Sequence, residues 1–242
     1  MKPPLPPLIA TAVALLAGVV LGALGGVWIE RKGSTPVPDF MQVQRGHLSR
    51  LDGASAPGRV VFLGSSTFQG LDVSSVTPVG LNLGLGSDTV PGLLQRLRDY
   101  ASLDHARAVL INIGLNDLMQ RCALPAVPVD EILHHVPLPT PVILLGVQGI
   151  DPGRHGARCE GHIAQLISSL NEDFVRACAL RTGCRFVPHP IPATGQTPEF
   201  ATLREEDGVH LSPAGYRQLV LQLREALAAF DPSLVSPPHL NP

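Results

Sequence analysis

Five short apolar runs, separated by segments with helical periodicity, constrain the fold more than any other feature of the sequence. Each run is short, and several contain β-branched residues, which is typical of buried strands. The predicted strands are Val60–Leu63, Val79–Leu83, Ala108–Ile113, Val142–Val147 and Arg185–Val187.

The intervening segments carry apolar residues three and four positions apart, the spacing of an amphipathic helix. Val90–Leu103 and Ile163–Leu180 have this pattern, and Ser212–Phe230 adds a serine N-cap followed by proline. Strands that alternate with helices indicate an α/β domain with a mostly parallel sheet, here over residues 59–230. Ligands of such sheets bind beyond the carboxyl ends of the strands.

The N-terminal residues 1–32 differ in kind from the rest of the chain. Leu8–Ile29 contains no charged residue, and as a helix it spans roughly 33 Å, enough to cross a bilayer core of about 30 Å. We therefore predict a membrane anchor. A cleaved signal peptide, with Ala23-Leu24-Gly25 as its cleavage pattern, is the alternative, but such peptides have shorter apolar cores. The positive-inside rule leaves the orientation open, because basic residues on the two sides nearly balance.

Two further segments flank the domain. Residues 33–58 are predicted to form a linker with one short helix at Phe40–Leu48, and the proline-rich tail 231–242 is predicted to fray. The chain has 242 residues, 45% of them hydrophobic, and a net charge of −2. These values fit one globular domain and give no basic excess for binding nucleic acid.

The chain has four cysteines, an even number that suits an oxidising compartment. Four buried thiols in a cytosolic enzyme are the alternative. From their places relative to the predicted strands and helices we expect two disulfides, Cys122–Cys159 and Cys178–Cys184. With the anchor, they lead us to expect a single-pass cell-membrane protein whose domain lies outside the cytoplasmic membrane, in the periplasm.

Polar or glycine-rich clusters follow three of the predicted strands and precede the last helix. Each has a structural interpretation as a turn or cap. A carboxylate three residues before a histidine can also orient the imidazole as a base, and an asparagine at a strand end can donate to an oxyanion. The clusters are Gly64-Ser65-Ser66-Thr67, Asn82–Asp88, Gly114-Leu115-Asn116-Asp117 and Asp207-Gly208-Val209-His210.

In this order, the four clusters resemble the sequence blocks of the SGNH hydrolases, also called the GDSL esterase/lipase superfamily. Those blocks are a Gly-Asp-Ser turn, a glycine after the second strand, a Gly-x-Asn-Asp turn and a C-terminal Asp-x-x-His. The resemblance covers about residues 59–230. It implies a three-layer α/β/α flavodoxin-like sandwich with a mostly parallel five-stranded sheet. Ser65 stands where the family often has an Asp that is not part of the triad.

The resemblance implies a serine esterase with Ser66 as the nucleophile. His210 would be the base and Asp207 would orient it. The amides of Ser66 and Ser87 and the side chain of Asn116 would form the oxyanion hole. The family's oxyanion glycine falls at Ser87, whose N–H can donate provided that its backbone angles do not require glycine. No metal or organic cofactor is required.

The expected substrate is a small-molecule, glycan or lipid acyl ester, with a short-chain or O-acetyl group. An acyltransferase to a cell-envelope glycan and a non-catalytic, membrane-tethered binding module are the alternatives. The loop Gly149–Gly161, which carries Arg154, His155 and Arg158, either meets an anionic group or is simply solvated. The oligomeric state is left open.

A metal site is the other candidate in a chain with nine histidines. The tight clusters are Cys159-x-x-His162 and His134-His135. Neither has a second ligand pair at zinc-site spacing, so we expect no metal.

Overall fold

The computed structural model describes residues 39–194 and 197–236. The chain divides into two units, Met1–Val43 and Gln44–Pro242, and apart from the first residues of its first helix the description below concerns the second. Its elements alternate between strands and helices as the periodicity predicts. In chain order they are α1 (Phe40–Gly53), β1 (Val60–Gly64), α2 (Ser66–Gln69), β2 (Gly80–Gly84), α3 (Val90–Leu97), β3 (Ala108–Asn112), α4 (Leu115–Arg121), α5 (Asp130–His134), β4 (Val142–Leu145), α6 (Pro152–His155), α7 (Ile163–Ala179), β5 (Cys184–Val187), α8 (Pro198–Ala201) and α9 (Pro213–Ala228).

The five strands form one sheet in the order β2-β1-β3-β4-β5, with every neighbouring pair parallel. This confirms the predicted flavodoxin-like α/β fold. Every residue of β1, β3 and β4 is buried, because helices cover both faces. Phe62 and Leu110 pack on one face with Leu219 of α9 in a single apolar cluster.

The strand order reverses between β1 and β3, and this reversal fixes where a site can form. Gly64, the last residue of β1, pairs with Gly84 of β2 and with Asn112 of β3. The three strands therefore end level with one another. The segments that follow them emerge at the same edge of the sheet.

Most predicted helices are found, but α3 ends at Leu97 instead of continuing to Leu103. The side chain of Asp52 explains the early end. Its carboxylate accepts hydrogen bonds from the N–H groups of Ala101 at 2.9 Å and Ser102 at 3.2 Å. These bonds start a separate 3-10 turn at Ala101–His105, so a contact from a distant part of the chain stops the helical run.

The segments that flank the domain are more ordered than predicted. The helix expected at Phe40–Leu48 extends to Gly53. Leu234 is 1% exposed, and its carbonyl accepts a hydrogen bond from Thr77 Oγ1 at 2.5 Å. The expectation that the tail frays is therefore wrong for residues 231–236, because this turn packs into the core. Residues 237–242 lie outside the described part of the chain.

The predicted anchor Leu8–Ile29 also lies outside the described residues. Within residues 39–194 and 197–236, none of the helices is both long enough and apolar enough to cross a membrane. The cysteines pair as expected, Cys122 with Cys159 and Cys178 with Cys184, so both predicted disulfides are confirmed.

Candidate active site

A tight turn at the end of β1 carries the two candidate serines. Gly64 has φ +153°, and a Cβ built there would lie 2.0 Å from the carbonyl oxygen of Asn112, so only glycine fits. Ser65 is 4% exposed and donates its N–H to the same carbonyl. Ser66 begins α2 and is partly exposed. Of the two serines, Ser66 is therefore the one that a substrate can reach.

The turn after β2 presents a free backbone donor. Asp88 donates its N–H to Leu85 at 3.2 Å and closes the turn, and Gly86 donates its N–H to Gln69 Oε1 at 2.9 Å. Ser87, between them, has φ +62° and is exposed. Among the described residues, no hydrogen bond uses the Ser87 N–H. The backbone at Ser87 is left-handed, the conformation that glycine adopts without strain.

Asn116 lies in the first turn of α4, directly above the turn after β2. Its Nδ2 donates to the carbonyl of Asp88 at 2.8 Å. That bond uses one of the two amide hydrogens and fixes the orientation of the group. No residue in the described part of the chain accepts the second hydrogen, which is therefore open to a ligand.

Arg96 of α3, a residue the sequence analysis missed, connects the strand ends beneath this turn. Its guanidinium contacts Asp88 Oδ2 at 2.7 Å, and it donates to the carbonyl oxygens of Leu83 at 2.7 Å and Gly64 at 3.1 Å. Burial raises the pKa of the Asp88 carboxyl, and Arg96 opposes the rise. An arginine on the apolar face of α3, between Leu93 and Leu97, is the sequence signal that could have revealed it.

Asp117, next to Asn116, is buried and accepts the N–H of Val90 at 3.0 Å. It therefore caps the start of α3, a helix that precedes it in the chain. Desolvation raises the pKa of its carboxyl.

Asp207 and His210 form a hydrogen-bonded pair in the loop before α9. Asp207 Oδ2 lies 2.5 Å from His210 Nδ1, and Oδ1 accepts the N–H groups of Val209 at 2.8 Å and His210 at 2.9 Å. Burial alone would raise the pKa of Asp207, but the hydrogen bonds from His210 and Val209 outweigh it and lower the pKa to about 2. Asp207 is therefore ionised at neutral pH, and His210 Nε2 carries no hydrogen bond from any described residue.

The segment after β4 supports this loop. Asp151 donates its N–H to the carbonyl of Gly208 at 2.8 Å, and His155 Nε2 lies 3.0 Å from the carbonyl of Asp207. Gly208 has φ +72°, and a Cβ there would lie 2.7 Å from Asp151 Cβ, so glycine is required. Arg158, one of the cationic residues of this segment, donates to the carbonyl of Met119 at 3.1 Å.

The Cys122–Cys159 disulfide joins the two sides of the site. Cys122 follows the last residue of α4, the helix that carries Asn116. Cys159 lies in the segment after β4, whose Asp151 and His155 make the contacts that support the Asp207 loop. The bridge therefore ties the candidate oxyanion donor to the support of the candidate base.

Ser66, Ser87 and Asn116 follow the ends of neighbouring strands, and Asp207 and His210 form a hydrogen-bonded pair. The family model of the GDSL-like lipase/acylhydrolase family matches residues 62–218 of the chain. The chain belongs to this family, and it is a carboxylic ester hydrolase. No curated protein sequence gives a significant match.

Solved structures of the same fold lie at low sequence identity. A lipase/acylhydrolase from Enterococcus faecalis is 22% identical, with 71% of this chain and 96% of that chain covered and a TM-score of 0.56. A GDSL-like lipase from Bacteroides thetaiotaomicron is 21% identical, with 77% and 98% covered and a TM-score of 0.55. A catalytic mutant of an acetylxylan esterase from Geobacillus stearothermophilus is 17% identical, with 71% and 94% covered and a TM-score of 0.52.

Proposed function

We propose that the protein hydrolyses acyl esters through a covalent acyl-enzyme, with Ser66 as the nucleophile. The observation that carries the proposal is the Asp207–His210 pair, in which the carboxylate holds Nδ1 and Nε2 makes no hydrogen bond with any residue that the structure describes. That is the state a general base needs. Ser66 is the partly exposed serine at the same edge of the sheet.

The reaction proceeds in two halves. His210 Nε2 takes the proton of the Ser66 hydroxyl as its oxygen attacks the ester carbonyl, and then gives that proton to the departing alcohol. The acyl group is left on Ser66. Water, deprotonated by His210 Nε2, attacks the acyl carbonyl, and His210 passes that proton to the Ser66 oxygen as the carboxylic acid leaves. Asp207 stays ionised throughout and stabilises the imidazolium that forms in each half.

Three donors stabilise the tetrahedral oxyanion in this proposal. They are the N–H groups of Ser66 and Ser87 and the second Nδ2 hydrogen of Asn116. Each is available because no described residue uses it. Loss of one such donor typically costs about 10²–10³ in kcat.

The openness of the site supports a short acyl group, such as acetyl, on a larger alcohol. The side chains of Asp207 and His210 are 49% and 51% exposed. An exposed base leaves room for a bulky alcohol and admits water, so hydrolysis is favoured over transfer to a sugar hydroxyl. The acetylxylan esterase among the structures of the same fold is in line with this choice.

Two disulfides support a domain that works in an oxidising compartment, which we propose is the periplasm. Attachment by residues 1–32 stays a proposal. A reporter enzyme fused after Pro242 tests the location: activity of a periplasm-dependent reporter is expected, and activity of a cytoplasm-dependent reporter would contradict it.

The test of function is hydrolysis of p-nitrophenyl esters, from acetate to octanoate, and of acetylated xylooligosaccharides. Ser66→Ala is expected to abolish turnover, while Ser65→Ala, a matched change at the buried neighbour, retains it. Rates should fall with acyl length. Equal turnover by Ser66→Ala and the unaltered protein would overturn the mechanism, and a maximum at octanoate would overturn the short-chain assignment.

A further inference from the structure

A buried glutamine lies between the nucleophile turn and the histidine loop. Gln148 follows the end of β4 and is 3% exposed. A buried amide is costly unless its donor and acceptor groups are both satisfied. Both are satisfied here, and each partner belongs to a different part of the candidate site.

The two partners of Gln148 flank the two reacting side chains. Thr67, the residue after Ser66, donates its hydroxyl to Gln148 Oε1 at 3.1 Å. Gln148 Nε2 donates to the carbonyl of Val209, the residue before His210. One rigid amide group therefore spans from the segment that carries the nucleophile to the segment that carries the base.

The chemistry of these partners fixes the orientation of the amide. The Val209 carbonyl can only accept, so the nitrogen of Gln148 must face it. The oxygen then faces Thr67, whose hydroxyl can donate. An amide turned the other way would place two acceptors against each other at Val209.

The connection matters because Ser66 and His210 are not joined directly. Ser66 Oγ has no hydrogen bond with any residue in the described part of the chain, and His210 Nε2 has none either. Their separation therefore depends on how the two segments are held. The Asp151–Gly208 bond anchors the histidine loop to the segment after β4, but Gln148 extends the link to Thr67.

We propose that Gln148 is a positioning residue that sets the separation between Ser66 Oγ and His210 Nε2. This rests on the proposed function, since the separation matters only if His210 takes the Ser66 proton. Loss of the amide leaves both reacting groups present but removes the hydrogen-bonded link between the two segments. A misplacement of about 1 Å between reacting groups can cost about 10²-fold in rate.

Asn171 of α7 provides a matched control at the same strand end. Its Oδ1 accepts the N–H of Val147 at 2.7 Å, and its Nδ2 donates to the carbonyl of Val147 at 3.1 Å. Like Gln148 it makes two hydrogen bonds through one amide, but both go to Val147, and neither goes to the nucleophile turn or the histidine loop. Asn171→Leu and Gln148→Met each replace one side-chain amide by an apolar side chain of similar volume.

The experiment compares the two variants with p-nitrophenyl acetate, and active sites are counted by titration with a phosphonate ester. Gln148→Met is expected to lower kcat per active site by about 10- to 100-fold with KM changed by no more than about twofold. Asn171→Leu should retain kcat per active site. Thr67→Val should lower kcat less than Gln148→Met does. In the double variant, kcat should be close to that of Gln148→Met alone, because both substitutions break the same Thr67–Gln148 hydrogen bond.

Two kinetic outcomes would overturn the proposal: a Gln148→Met kcat close to that of the unaltered protein, or an equal loss in Asn171→Leu.

A second readout does not require turnover. The proton on His210 Nδ1, which is hydrogen-bonded to Asp207, is followed by NMR as a downfield proton resonance. Gln148→Met should broaden or shift this resonance and Asn171→Leu should not. If the unaltered protein lacks esterase activity, the proposed function fails. The NMR resonance still tests whether Gln148 positions His210. A resonance that is the same in Gln148→Met and in the unaltered protein would overturn the proposal.

Discussion

Arg96→Met should be among the most damaging single substitutions in the domain. Arg96 and Asp88 are paired at 2.7 Å, and their side chains are 5% and 1% exposed. Removal of the arginine takes away the ion-pair partner of Asp88 Oδ2 and one donor each from the carbonyls of Leu83 and Gly64, all in the interior. Breaking a buried pair from one side typically costs about 3–5 kcal/mol in the free energy of unfolding. At roughly 2–4 °C per kcal/mol, the melting temperature should fall by on the order of 10 °C.

The loss should depend on pH, because burial raises the pKa of Asp88. A folded-state pKa above the unfolded value means that folding favours the protonated carboxyl. That contribution to stability is full below the unfolded pKa and is lost as the pH rises through the folded pKa. Without Arg96 nothing comparable opposes the effect of burial. The deficit of Arg96→Met should therefore be smallest at acidic pH and grow as the pH rises.

The assay is thermal unfolding followed by circular dichroism across pH, on Arg96→Met and on the double variant Arg96→Met/Asp88→Asn. The double variant should recover part of the loss, because the uncompensated charge is gone. It should also show little of the pH dependence. A loss below about 1 kcal/mol for Arg96→Met, the range of exposed pairs, would show that the buried Arg96–Asp88 pair contributes little to stability.

The remaining predictions concern the two disulfides, Ser87 and Asp207. Cys122→Ala should lower the free energy of unfolding by up to about 4 kcal/mol and should also lower kcat. Cys178→Ala opens a shorter loop, so it should lower the free energy of unfolding by about 2 kcal/mol and leave kcat per active site unchanged. Ser87→Gly should retain kcat and gain about 0.5–1 kcal/mol, since relief of left-handed strain of about 1–2 kcal/mol exceeds the entropy cost of glycine. Asp207→Asn should lower kcat by about 10⁴-fold. In the unaltered protein, the stabilising contribution of Asp207 should be present above its ordinary pKa of 3.8 and be lost as the pH falls through about 2.

Each of these predictions has a measurement that can contradict it. Equal kcat per active site after the loss of either disulfide would show that the Cys122–Cys159 bridge does not support the site. A Ser87→Gly protein that unfolds at a lower temperature would contradict the strain argument. An Asp207→Asn protein that retains most of its kcat would show that His210 does not need this carboxylate.

The sequence was sufficient for the strands and for the edge of the sheet at which the motifs gather. Local apolar runs such as Ala108–Ile113 carry their own signal, because a strand buried on both faces must be apolar throughout. The order of the motifs along the chain then places Ser66 and Asn116 after neighbouring strands. Their catalytic roles stay predictions.

The residues that support the site could not be predicted in the same way, because their partners come from distant parts of the chain. Gln148 bonds to Thr67 and Val209, which lie 81 and 61 positions away. Asp52 ends α3 across a similar distance. In the sequence, Leu234 belongs to a proline-rich tail, but in the structure it is buried and its carbonyl is bonded by Thr77. Periodicity reports which face of an element is buried, but it does not report which buried polar groups meet.

The most direct test of the central claim is to react the protein with a fluorophosphonate and map the adduct by mass spectrometry of peptides. We expect a single modified residue, Ser66, with labelling abolished by Ser66→Ala and slowed by His210→Ala. Ser65→Ala should label as the unaltered protein does. An adduct on Ser65, or undiminished labelling of Ser66→Ala, would show that Ser66 is not the nucleophile.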